Sequence, residues 1–233
     1  MLFNSIYFII CLCEYTFRYH LYDLFAKHWS SSSKLEFIFG QYYENFYNEV
    51  TYRFNAIIHS LYTSIFVSFY LLGLMDDKIL EVIFLNSMAY CLYDFYGLCT
   101  QKNPDHDKGK FLVHHLLMFA ILFLNYNSDQ IRKDLIAKGL LAEWSTIFLN
   151  FSIILYKSGL GNYRIFTINS SMTVASYMIF RILLYPFLIY QTFYQSYIYG
   201  LLSLVFYSFN WIWFMQIVNH HKKSVSKKMK RLL

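Results

Sequence analysis

The amino-acid sequence predicts an all-α protein that crosses a membrane about seven times and encloses a polar pocket. Its composition indicates a membrane protein, because 57% of the 233 residues are hydrophobic and only 15% are charged. Soluble domains carry about a quarter charged residues. The chain therefore has too few polar residues to cover a soluble domain of this length.

Seven apolar stretches are candidate spanning helices, because a bilayer core of about 30 Å needs roughly 20 apolar residues in a helix. Five reach that length: Phe54 to Leu74, Ile79 to Cys99, Leu135 to Tyr156, Ile165 to Tyr190 and Tyr197 to Val218. Two are weaker, since Phe111 to Tyr126 is short and Leu2 to Phe17 contains Glu14. We divide the chain into a first helix with an interfacial segment (1–52), a six-helix core (53–218) and a basic tail (219–233).

Basic residues are distributed unequally between the two sides that seven spans would create. Fourteen Lys and Arg residues fall on the side of the C-terminal tail, and only Lys78, Arg132 and Lys133 fall on the other. The excess marks the cytoplasmic side. We expect the tail in the cytosol, or in the matrix if the membrane is the mitochondrial inner membrane rather than the endoplasmic reticulum. Tail charge of this kind suits a membrane surface, so nucleic acid is not an expected partner.

Polar side chains recur at helical spacing inside five of the predicted spans. The stripes are Asn55, His59 and Tyr62; Asn86, Tyr90, Asp94 and Gly97; Glu143, Thr146 and Asn150; Ser170, Thr173, Tyr177 and Arg181; and Ser203, Tyr207 and Asn210. A period of 3.6 residues places each stripe on one side of its helix. We expect the stripes to surround a pocket, although such residues also bond helices together without any ligand.

Ionisable residues inside spans are the strongest candidates for a site, since each costs about 2.5–3.5 kcal/mol to insert. We predict that Asp94, His114 or His115, Glu143 and Arg181 converge on one interior region. One histidine can serve as a general base oriented by Glu143 or Asp94, while the other packs against a neighbouring helix. Arg181 can hold a phosphate or carboxylate, or neutralise Asp94 or Glu143. Further candidates for lipid or headgroup binding are Tyr93, Asn150, His59 and Tyr177.

No cofactor or metal site is expected from the motifs present. The sequence contains no P-loop, dinucleotide-binding fingerprint, serine-hydrolase elbow or HExxH motif. A metal bound by His114, His115 and Glu143 is disfavoured, because adjacent residues on a helix point about 100° apart. The four cysteines lack zinc spacing and are interpreted as packing residues.

Several short motifs occur in a distinctive order between about Arg53 and Val218. They are YDFYG at Tyr93–Gly97, HH at 114–115, AEWSTIFLN at Ala142–Asn150, an arginine late in the next span, and NWIWF at Asn210–Phe214. This order resembles the TLC-domain family, which includes the ceramide synthases, the translocation-associated membrane protein and smaller lipid-linked relatives. The resemblance implies membrane lipids as partners and the HH pair as a functional element, with acyl-CoA as a co-substrate if the protein is an enzyme.

The chain departs from the ceramide synthases at one motif. There the HH pair is matched by an HD-containing motif in the following span, whereas Ala142–Ser145 reads AEWS. We therefore expect a relative of the smaller TLC proteins rather than a ceramide synthase. Two functions stay open: binding, sensing or modifying a lipid, or serving as a non-catalytic subunit of a larger membrane complex. A channel or transporter is disfavoured, because no inverted repeat or Gly/Pro-broken helix pair is evident.

The charge asymmetry predicts that Ser224 and Ser128 lie on opposite sides of the membrane. Single cysteines at these positions, in a background with the four native cysteines replaced by alanine, should react with a membrane-impermeant maleimide from opposite sides. Labelling from one side at both positions would contradict seven spans.

Overall fold

The computed structural model describes residues 2–30, 43–100, 108–126 and 130–232. It is 93% helical and contains no strand in these ranges, which confirms the all-α prediction. The helices are α1 (Leu2–Ser30), α2 (Tyr43–Leu71), α3 (Asp77–Thr100), α4 (Lys108–Asn125), α5 (Gln130–Leu140), α6 (Glu143–Lys157), α7 (Arg164–Tyr177), α8 (Tyr185–Gln195) and α9 (Tyr197–Leu232). A 3₁₀ turn (Leu160–Asn162) precedes α7, and a π-helical segment (Met178–Leu183) joins α7 to α8.

Six of the seven predicted spans correspond to apolar helical stretches. Five are long and apolar enough to cross a membrane: Tyr52–Leu71, Asp77–Cys99, Arg132–Lys157, Arg164–Gln195 and Tyr197–Lys223. Gly109–Asn125 is a shorter apolar helix. The remaining predicted span, Leu2 to Phe17, lies within α1, which is not among the five.

Helix α1 is nevertheless attached to the bundle through the buried side chain of Tyr15. The Tyr15 hydroxyl donates to Asn86 Oδ1 at 2.6 Å and lies 3.0 Å from His59 Nδ1. A hydroxyl has one proton, so His59 donates to the tyrosine oxygen through Nδ1–H. Because Tyr15 is only 2% exposed, α1 covers polar atoms of α2 and α3 that would otherwise face lipid.

The other helices form a closed ring in the described part of the chain. Helix α2 contacts α3 and α6, α3 contacts α4, and α9 closes the ring by contacting α4 and α7, which packs on α6. Each of the five polar stripes contributes at least one buried residue, among them Asn55, Asn86, Glu143, Arg181 and Asn210. These residues are thus shielded from lipid by neighbouring helices, which for Asn86 include α1.

The fifth span is interrupted between α5 and α6. The backbone N–H groups of Trp144 and Ser145 bond to the carbonyls of Leu141 and Ala142, a tighter i−3 pattern. Glu143 consequently lies in the first turn of α6, where the helix dipole favours a negative charge.

The sixth span is interrupted at the π-helical segment. Pro186 has no N–H, so it cannot donate to the carbonyl of Ile182, and the Tyr207 hydroxyl donates to that carbonyl instead at 3.2 Å. Within the segment the N–H of Leu184 bonds to the Ile179 carbonyl at 3.1 Å, the i−5 pattern. The sequence interpretation did not foresee this interruption near Pro186.

Candidate functional site

Arg181 donates hydrogen bonds through all three of its guanidinium nitrogens. Its Nε donates to Ser145 Oγ at 2.8 Å, Nη2 donates to Thr146 Oγ1 at 2.7 Å, and Nη1 donates to Asn210 Oδ1 at 3.2 Å. The guanidinium also lies 5.2 Å from the ring centroid of Tyr177. These contacts hold the π-helical segment against α6 and α9.

Glu143 provides the negative charge beside Arg181. Its Oε1 lies 3.9 Å from Arg181 Nη2, and its Oε2 accepts a hydrogen bond of 2.7 Å from the Ser60 hydroxyl of α2. Both side chains are about nine-tenths buried. Of the two roles predicted for Arg181, neutralisation of a carboxylate is the one visible in the structure, and that carboxylate is Glu143.

Asp94 and His115 form a second buried pair. His115 Nε2 lies 2.9 Å from Asp94 Oδ2, and His115 Nδ1 lies 2.9 Å from the backbone carbonyl of Phe111. A carbonyl oxygen only accepts, so Nδ1 carries a proton, and a second proton lies between Nε2 and the carboxylate. His115 therefore has no free lone pair, and it can accept a proton from a ligand only after its contact with Asp94 breaks.

His114 points toward different neighbours. Its ring stacks on Phe206 at a centroid distance of 4.6 Å and meets the ring of Trp213 edge-on at 4.9 Å. Its Nδ1 is buried and has no hydrogen-bond partner among the described residues. The two adjacent histidines thus contact different neighbours, as expected for residues that point about 100° apart on a helix.

An aromatic path connects the Asp94–His115 pair to α1. The ring of His115 meets the ring of Tyr90 edge-on at 6.1 Å, and Tyr90 stacks on His59 at 4.0 Å. His59 contacts Tyr15, as described above. Tyr93 packs in the same band, stacked on Tyr15 at 5.7 Å.

The remaining predicted ligand-binding residues bond to protein groups. Tyr93 accepts a hydrogen bond from Asn55 Nδ2 at 3.0 Å. Asn150 accepts from Arg53 Nη1 at 3.0 Å and donates to the Thr146 carbonyl at 2.9 Å. The Tyr177 hydroxyl donates to Asn210 Oδ1 at 3.3 Å.

The predicted site residues therefore form two clusters, Asp94–His115 and Glu143–Arg181. They approach each other at α2, where His59 belongs to the first and the adjacent Ser60 to the second. Among the described residues, no three His, Cys, Asp or Glu side chains are placed to hold a metal ion. The sequence interpretation overlooked Ser60 and Ser145, whose only signal was their position beside the polar stripes.

An apolar cleft lies between α4, α5, α8 and α9. Leu122, Leu135, Leu188 and Ile189 are among its aliphatic walls, and the other lining residues include Arg132, Gly139, Tyr185, Thr192, Gln195, Tyr199, Ser203 and Phe206. Phe206 lines this cleft and also stacks on His114. The cleft and the histidine pair are thus separated by a single aromatic ring.

The helical ring, its apolar spans and its buried ionic pairs define a polytopic integral membrane protein. Comparison with protein-family models matches the TLC domain over residues 1–219, so the chain belongs to the TLC-domain family. The match confirms the family suggested by the order of motifs, and it includes α1. Family membership links the protein to lipid. The comparison with curated proteins found no matching relative.

The contacts of Arg181 predict that its replacement destabilises the bundle. Arg181→Met leaves the buried Glu143 carboxylate without a counter-charge, and we expect a loss of about 3–5 kcal/mol. Chemical unfolding of the purified protein in mixed micelles would measure it. Arg164→Met, at an exposed position, is the matched control. The double variant Arg181→Met/Glu143→Gln should recover part of the loss, and equal stability of the single and double variants would argue against the ion pair.

Proposed function

We propose that this TLC-domain protein binds a membrane lipid by inserting an acyl chain into the cleft between α4, α5, α8 and α9. The observation that carries the proposal is the position of the cleft, whose lining residue Phe206 stacks directly on His114. An apolar cavity beside a few convergent polar groups is the usual form of a small-molecule site.

The lining of the cleft combines apolar and polar side chains, as expected for a site that binds an amphipathic ligand. Aliphatic side chains from α4, α5 and α8 form its walls, while Arg132, Thr192 and Gln195 provide polar atoms along the same cleft. Arg132 also lies over the ring of Tyr199, 5.5 Å from the centroid. An acyl chain can pack between these walls.

Binding or sensing of the lipid fits the geometry of the Asp94–His115 pair better than chemical modification by that pair. A general base needs a free lone pair, and both nitrogens of His115 are engaged by Asp94 and Phe111. Acyl-CoA enters this scheme only if ligand binding opens the Asp94–His115 contact. We place the protein in the endoplasmic reticulum or the mitochondrial inner membrane, with its tail in the cytosol or matrix.

A second candidate function is that of a non-catalytic subunit in a larger membrane assembly. The supporting observation is that Arg181, Glu143, Asp94 and His115 all bond to protein groups. Networks of this kind hold helices together without a ligand.

Filling the cleft should prevent lipid binding. A Cβ at Gly139 would meet only the Tyr185 hydroxyl, at 4.0 Å, so Gly139→Phe can place its ring in the cleft. Native mass spectrometry of the purified protein should show a bound lipid on the wild type and its loss from this variant. Gly109→Phe is the control, because a Cβ there meets nothing within 4 Å. A lipid retained by Gly139→Phe, or absent from the wild type, would exclude the proposal.

We also propose that the protein is not a ceramide synthase. The AEWS motif contains Glu143, with one oxygen beside Arg181 and the other accepting from Ser60, and it offers no imidazole N–H donor to an oxyanion. Losing one such donor costs about 10²–10³ in rate. The purified protein, offered a sphingoid base and a range of acyl-CoA chains, should form no ceramide. Ceramide formation that disappears in His115→Ala would refute this.

A further inference from the structure

Two buried hydrogen-bond donors on α9 have no acceptor among the described residues. They are Nδ2 of Asn210 and Nε1 of Trp213, and the residues are 0% and 8% exposed. The orientation of the amide is fixed, because Oδ1 of Asn210 accepts from Arg181 and Tyr177, so Nδ2 points away from them. An unpaired buried donor costs about 1–3 kcal/mol. Two of them within one turn of the same helix indicate a binding site for an acceptor.

These donors lie on the same face of α9 as the cleft. Tyr199, Ser203 and Phe206 line the cleft and are separated by four and three residues. Asn210 and Trp213 follow with the same alternation, four residues and then three, so all five lie on one face of the helix. At 1.5 Å per residue, Asn210 and Trp213 lie about 6 and 10 Å along the helix axis from Phe206. A ligand that extends from the cleft past Phe206 would therefore reach both donors.

His114 borders the same region. Its ring stacks on Phe206 and meets Trp213 edge-on, and its Nδ1 is a third buried polar atom without a partner among the described residues. Polar atoms of Asn210, Trp213 and His114 thus lie beyond Phe206, which is the last residue of α9 that lines the cleft. Arg181 lies directly behind Asn210, so a cationic ligand group is disfavoured there.

From this arrangement we infer that Asn210 and Trp213 form a subsite for the carbonyl oxygen of an acyl lipid, an ester or an amide. The inference rests on the proposed binding of an acyl chain in the cleft and assigns the polar end of that chain. A carbonyl oxygen is uncharged, carries two lone pairs and can accept both the indole N–H and the amide N–H.

Two conservative variants remove the donors and keep the surrounding contacts. Trp213→Phe removes Nε1–H but retains an aromatic ring against Phe111, which stacks on Trp213 at 5.3 Å. Asn210→Asp keeps an acceptor for Arg181 and Tyr177 and replaces the free donor by an oxygen. Trp211→Phe is the matched control, because Trp211 is 42% exposed on another face of α9.

The test compares two probes that differ only at the carbonyl. Radiolabelled methyl palmitate and hexadecyl methyl ether are titrated against the full-length protein in dodecyl maltoside micelles, which contain no ester. Wild type and Trp211→Phe should prefer the ester by about three- to tenfold, the contribution of one to two hydrogen bonds. Trp213→Phe and Asn210→Asp should bind the ether normally and lose the preference for the ester.

The outcomes separate this inference from the proposed function. Equal binding of both probes by the wild type, or an ester preference that persists in both variants, overturns the carbonyl subsite and leaves the acyl cleft intact. If neither probe binds to the wild type, the proposed function is overturned and the subsite with it. Infrared spectra of ester labelled with ¹³C at the carbonyl give a second readout. The carbonyl stretch should lie at lower wavenumber on the wild type than on Trp213→Phe.

Discussion

The guanidinium of Arg181 is a cation buried among helices that face lipid, where water cannot replace a missing partner. Acceptors for its N–H groups come from α6 and α9, through Ser145, Thr146 and Asn210. Glu143 lies beside it and is held in turn by Ser60 of α2. The π-helical segment, α6, α9 and α2 are thus held together around the charge of Arg181. Removing any of these partners would leave a polar atom unpaired in a low dielectric.

Both interrupted spans can be understood from this requirement. The π-helical segment inserts an extra residue into a turn and so changes the direction in which Arg181 points, while the break before α6 places Glu143 at a helix start. The interruptions are bonded to each other, because the Tyr185 hydroxyl, just after the π-helical segment, donates to the Gly139 carbonyl at 3.4 Å. Tyr185 and Gly139 also line the cleft, so the arrangement that accommodates the charge creates the cavity as well.

The sequence predicted the features that depend on local periodicity and failed on those that depend on tertiary partners. Hydropathy and the 3.6-residue period located six spans and the buried face of residues such as Asn55 and Asn210. They could not predict whether Arg181 pairs with Glu143 or with Asp94. A polar stripe shows which side of a helix is polar, but it does not show which residue of a neighbouring helix lies at the same depth in the membrane. The interruption near Pro186 was missed, since the long apolar run continues through it and Tyr207, a distant residue, satisfies the freed carbonyl. Trp213 was noticed only as part of a family motif.

The polar atoms of the interior also limit how a ligand can be selected. A lipid chain that leaves the bilayer for the cleft exchanges one apolar environment for another, so the hydrophobic effect contributes little to its binding. Selection must then depend on shape and on polar atoms that are not already bonded. In the described part of the chain Arg181, Glu143, Asp94 and His115 are engaged by protein groups. Among the same residues, His114, Asn210 and Trp213 each retain a buried unpaired atom beyond Phe206, at the end of the cleft. Any lipid specificity at this end of the cleft therefore depends more on α9 and His114 than on the ionic pairs, whose visible contacts hold the helices in place.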